Sequence, residues 1–152
     1  MSTHNARGVH LVSLKRKVLA AIELHRKSPK QMGLPTIDLR FTRARKPRIA
    51  GTELENHKPV ITVNERFVRA NPKEVIAVVI AHEVAHLKYK HKYQGSHHKV
   101  KGKQKKKDIQ QENQAWRFAG RLTKGVKVLV DRKEGTGTVM VKRGKRLFAY
   151  VL

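Results

Sequence analysis

The sequence of 152 residues contains no cysteine. That excludes disulfides and thiolate zinc sites, and it suits a reducing compartment. Acidic residues are scarce, 11 Asp and Glu against 35 Lys and Arg, which leaves a formal charge of +24. A charge of that size says little about fold and much about partners: nucleic acid, an anionic surface or an acidic protein. Aromatics make up only 5% of the chain, so readout by stacking bases on rings is a minor expectation. No apolar run is long; residues 75–81 are the longest, far short of a bilayer. The opening MSTHNARGVH lacks the apolar stretch of a secretory signal. A cytoplasmic, nucleic-acid-associated location is therefore expected, with a virion component as the alternative.

What is present suits one compact domain, since 39% of the residues are apolar and the length supports a core. Residues 11–27 read as an amphipathic helix, with Leu11, Leu14, Val18, Ala21, Ile22 and His25 near one face. Pro29 and Gly33 end it. Three strand-like pieces follow at residues 37–41, 48–52 and 60–63, the last β-branched throughout and preceded by Pro59. Their short connections predict a small antiparallel sheet. Then Asn71-Pro72-Lys73-Glu74 presents an N-cap, an N1 proline and a glutamate at N3, the pattern of a capping box. The helix it opens, VIAVVIAHEVAHL, is apolar on nearly every face except at His82, Glu83 and His86. Such a helix belongs in the middle of a domain, and polar side chains on it need partners.

Residues 87–107 hold nine lysines and three histidines (His91, His97, His98) and no acid, which reads as a loop or an extended helix end. A second helix is expected from near Asp108, with Ile109, Glu112, Ala115, Trp116, Ala119 and Leu122 as its inward stripe. Gly125 ends it, and residues 126–130, 138–141 and 147–151 read as a β-meander.

The chemistry concentrates in HEVAH. Side chains four apart on a helix differ by about 40° around its axis, so His82 and His86 can place two imidazole nitrogens on one zinc ion. Glu83, beside His82, can take a proton from a zinc-activated water and return it to a leaving amine. This is the physical content of H-E-x-x-H as a metallopeptidase motif. Zinc needs a third protein ligand. Glu112, on the inward stripe of the second helix, is the first choice; His98 and His97 in the basic loop are runners-up, and His91 comes last. Tyr89, Tyr93, His97 and His98 are the candidates for an oxyanion-stabilising donor.

These residues resemble the zincin metallopeptidases, in particular short, gluzincin-like families. VIAHEVAHLKYKHKYQGSHHK is similar to SprT-like proteins, the group that includes Spartan, where an HExxH helix and a downstream loop histidine build the zinc site. ENQAWRFAGRL is similar to the ExxA helix of the ImmA/IrrE group, where the glutamate is the third ligand; Trp116 stands where an Asp or Asn often follows that motif. The resemblance covers roughly residues 60–122. It implies one zinc held by His82 and His86, with Glu83 as general base. It also implies an α+β zincin-like domain over residues 1–125: an N-terminal helix, a short antiparallel sheet, a central HExxH helix and a second ligand-bearing helix. Residues 126–152 form a C-terminal β-meander expected to pack on it as one unit. The SprT-like likeness implies action on proteins bound or crosslinked to DNA.

The positive charge gathers in three clusters. Lys99, Lys101, Lys103, Lys105, Lys106 and Lys107 form the first; Arg43, Arg45, Lys46 and Arg48 the second; Lys142, Arg143, Lys145 and Arg146 the third. Such runs neutralise phosphates without reading bases. Nothing resembles a recognition helix or an RNP motif. Sequence-independent, salt-dependent nucleic-acid binding is the expected partnership, beside a protein substrate and no membrane.

Overall fold

The computed structural model describes residues 3–43, 49–90 and 103–152, with the backbone alone described for residues 3–9 and 103–105. The first helix, α1 (Thr3–Ile22), starts well before the amphipathic pattern does and ends before His25. Its stripe is as expected, with Leu14, Val18 and Ala21 buried. A 3-10 turn at Lys30–Met32 closes on Gly33, whose φ of 75° only glycine adopts without strain.

Strands β1 (Asp38–Thr42), β2 (Ala50–Glu55) and β3 (Lys58–Asn64) form a three-stranded sheet of order β1-β3-β2. The sheet is mixed, which corrects the antiparallel expectation: β1 pairs parallel with β3, Asp38 opposite Val60. The reason lies in the β2–β3 hairpin. Asn56 and His57, at φ 50° and 66°, make a two-residue turn of the kind that matches strand twist. The hairpin pairs antiparallel, and β3, the more apolar of its two strands, takes the centre beside β1. Residues 59–61 are buried along β3, whereas residues 53–55 of β2 are exposed.

A helix that the apolar pattern does not reveal follows at once. It is α2 (Glu65–Ala70), and the Asn64 side chain accepts from the Arg66 and Phe67 backbone N–H groups to cap it. The central helix, α3 (Lys73–Lys88), buries every residue of 74–86. Its predicted capping box does not form. Pro72 occupies the N-cap position, no side chain caps the helix, and the Asn71 amide instead donates to the Phe67 carbonyl of α2 at 2.9 Å. The short α2 competes for Asn71 and wins. Arg143 reaches the first turn of α3 and pairs with Glu74 at 2.5 Å, beside a helix start where negative charge is favourable.

The second long helix, α4 (Lys103–Leu122), begins five residues before Asp108. It packs directly against α3, and both helices carry fully buried alanines, Ala81 and Ala85 on one, Ala115 and Ala119 on the other. A backbone bridge between His25 and Thr123 ties the end of α4 to the chain leaving α1. Strands β4 (Val126–Asp131), β5 (Thr136–Arg143) and β6 (Arg146–Val151) form an antiparallel meander, as expected. Its inner face carries Val139 and Val141 into the same core as α3 and α4. Burying each such side chain contributes about 1.5–3 kcal/mol, so the meander is part of the core cluster and not a loose appendage. Among the described residues, no helix is long and apolar enough to cross a membrane.

Candidate metal centre

The continuous burial of α3 carries His82, Glu83 and His86 inside, at 7%, 7% and 6% exposure. The rings of His82 and His86 lie edge to face, with centroids 4.6 Å apart. From α4, Glu112 reaches both: its Oε2 is 2.7 Å from His82 Nε2 and its Oε1 is 3.1 Å from His86 Nε2. One donor atom from each of the three falls within 4.8 Å of the other two. Two imidazole nitrogens and a carboxylate oxygen are a donor set that suits zinc and leaves a fourth position free. The residues present therefore fit the metal that the motif implies.

Burial acts to lower the basicity of His82, but hydrogen bonds to Glu112 and Glu83 outweigh it and raise the imidazole to about 9. Burial acts to raise Glu112; hydrogen bonds from His82 and His86 outweigh it and lower the carboxyl to about 2. Glu83 is likewise lowered: burial opposes this, and His82 is the largest favourable influence.

Glu83 is held from two sides. One carboxylate oxygen, Oε1, lies 3.5 Å from His82 Nδ1. The other, Oε2, accepts a 2.5 Å hydrogen bond from Thr52 Oγ1 on β2. The sequence gives no hint of this role for Thr52, because no local spacing relates it to HEVAH; only the sheet order, with β2 at an edge, brings it there.

Trp116 was legible as an inward residue, but its task was not. Its ring stacks on His82 with centroids 4.0 Å apart and planes 29° from parallel. Its indole N–H donates to the Gly135 carbonyl at 3.2 Å in the β4–β5 turn. A Cβ on Gly137 would lie 2.6 Å from the indole, a contact real side chains do not make. A Cβ on Gly135 would lie 3.2 Å from Glu112 Cβ. The turn of the C-terminal meander thus presses on the back of both Trp116 and Glu112. Asn113 adds a third tie, donating to the Arg132 carbonyl at 3.1 Å.

Of the remaining candidates, His91, His97, His98 and Tyr93 lie outside the described residues. Tyr89 sits at the C-cap of α3, edge-on to Phe118 with centroids 5.7 Å apart. Lys99, Lys101, Arg45, Lys46 and Arg48 also fall outside the described residues; Lys103 and Lys105 lie on α4, and Lys106 and Lys107 are exposed there. Arg43 donates to the fully buried Glu65 at 3.2 Å, so it has a structural task beside any surface one. No family model, curated protein or solved structure matches this chain.

Proposed function

We propose that the chain is a zinc-dependent metallopeptidase of zincin type, with His82, His86 and Glu112 as ligands and Glu83 as general base, working on or near nucleic acid. The observation that carries this reading is the convergence of three buried or half-buried donor atoms within 4.8 Å, beside a glutamate oriented by a separate strand. Bound zinc supplies Lewis-acid polarisation of a peptide carbonyl and activation of a water. The chain's own residues do the rest. Thr52 donates to Oε2 of Glu83 and fixes the carboxylate; Oε1, which faces His82 Nδ1, is the oxygen assigned to receive the proton and later give it to the leaving amine. Trp116, buried and stacked on His82, excludes water from that side of the site.

Metal content of the purified, tag-free protein tests the site, with about one zinc per chain expected. Glu112→Ala, His97→Ala and His98→Ala, made singly, find the third ligand; only Glu112→Ala should lose the metal. Glu83→Gln should abolish cleavage of an unfolded protein such as casein while keeping zinc and nucleic-acid binding. Continued cleavage by that variant overturns the assigned base.

The formal charge of +24 favours a second reading, a zincin-fold nucleic-acid-associated structural protein without turnover, in a nucleoprotein or viral particle. Tight DNA or RNA binding with no cleavage by the zinc-loaded protein would select it.

A further inference from the structure

Helix α4 has a second face. At about 100° per residue, Lys107, Gln110, Gln114, Arg117 and Arg121 fall in one strip about 80° wide, and Glu112 lies on roughly the opposite side. All five are exposed, as is Lys124 just beyond the helix. The strip runs on into the chain leaving α1. The Arg26 backbone N–H donates to the Leu122 carbonyl at 2.7 Å, and the Lys124 N–H donates to the Leu24 carbonyl at 2.8 Å. Arg26 and Lys27, both exposed, are thereby held beside Arg121 and Lys124. Across residues 24–27 and 106–124 the acids are Asp108 and Glu112, and both project away from the strip.

We propose that this ridge is the docking surface for the phosphate backbone of nucleic acid. The proposal rests on the nucleic-acid-associated reading above and supplies the surface that the reading lacked. Two features select a phosphate backbone over an acidic protein. The ridge has no apolar residue among its exposed positions, whereas protein interfaces have an apolar centre. Its two glutamines lie between Lys107 and Arg117, and amide N–H groups join Arg and Lys in contacting phosphate and sugar oxygens. The outer face of the C-terminal meander is the contrast: beside Lys127 and Lys142, Leu129, Leu147 and Val151 are 48%, 63% and 80% exposed, an apolar centre that the ridge does not have. The ridge spans about 24 Å, on the order of seven base pairs of rise. Because it lies on the far side of α4 from Glu112, a docked duplex does not cover the face of the helix that carries Glu112.

The test uses the full chain, a fluorescein-labelled duplex DNA of 21 base pairs and a labelled (dT)21 strand, with affinity measured by anisotropy across a series of salt concentrations. Arg117→Gln, Arg121→Gln and Lys124→Gln are combined in one variant. A control variant with the same charge change combines Lys15→Gln, Arg16→Gln and Lys30→Gln, exposed positions on α1 and the following turn. The ridge variant should bind the duplex about tenfold more weakly or worse, with a log–log salt slope shallower by up to about 2.7, while the control stays near the parent. Both should hold zinc as the parent does, which separates failure here from failure of the metal reading. Equal losses in the two variants, or none, would overturn the proposal by reducing the effect to net charge. Polyglutamate of matched charge displacing the duplex from the parent, but not from the ridge variant, would overturn it in favour of an acidic protein.

Discussion

Thr52 and Glu83, 31 residues apart in sequence, share a 2.5 Å hydrogen bond that joins an edge strand to the central helix. A hydroxyl that donates to one carboxylate oxygen fixes the plane of the group, with the other oxygen turned toward His82. The same Oγ1 also lies 3.4 Å from the Glu83 backbone carbonyl, but its single proton goes to the much closer carboxylate.

Replacing Thr52 by Val keeps the shape and removes the donor. Turnover of casein by the zinc-loaded protein should fall about tenfold, the lower end for a hydrogen bond to a charged group, with KM and zinc content unchanged. Thr52→Ser should restore most of it. A Val variant with parental kcat would show that the bond does not orient the base.

Gly137→Ala drives a methyl into the Trp116 indole, which backs His82. Overpacking of this kind costs about 1–3 kcal/mol of stability. Displacing the ring should also weaken zinc binding by about 10–100-fold, the range for groups that orient a ligand. Competition against a chromophoric chelator measures the second effect. Parental zinc affinity in a folded Gly137→Ala protein would show that the ring does not position His82.

The zinc-free protein should have a stability maximum in mildly acidic solution. His82 is raised from 6.5 to about 9, so its contribution is full below pH 6.5 and is lost as pH rises through about 9. Glu112 is lowered from 4.5 to about 2, so its contribution is full above pH 4.5 and is lost as pH falls through about 2. Urea midpoints of the metal-free chain should therefore peak between about pH 4.5 and 6.5. Glu112→Gln should flatten both limbs. Zinc should abolish the alkaline limb, because a ligating imidazole is neutral. A metal-free protein whose midpoint keeps rising from pH 6.5 to 9 would contradict the coupling.

The parts of the fold that the sequence revealed are those whose signal is local. The apolar run of α3 and the inward stripe of α4 are visible as periodicity, and they bring His82, His86 and Glu112 into view before any coordinates. The parts it hid depend on distant pairing. Nothing near residues 38–42 says that β3 will lie beside them in parallel, since that order follows from the hairpin turn at Asn56 and His57. The capping pattern at Asn71 was sound in itself, but α2, only six residues long, took the side chain. Trp116 on a buried stripe reads as core whether or not it backs a ligand, and Thr52 carries no local mark at all.

The wedge of Gly135 and Gly137 has a consequence for how the site comes into being. A ribosome delivers His82, Glu83 and His86 first, then Glu112 and Trp116, and only later the β4–β5 turn that seats Trp116 against His82. A nascent chain carries His82, His86 and Glu112 before the turn that backs Trp116 exists. On the proposed metallopeptidase reading, a chain assembled in that order completes its site last, after its other segments have been made.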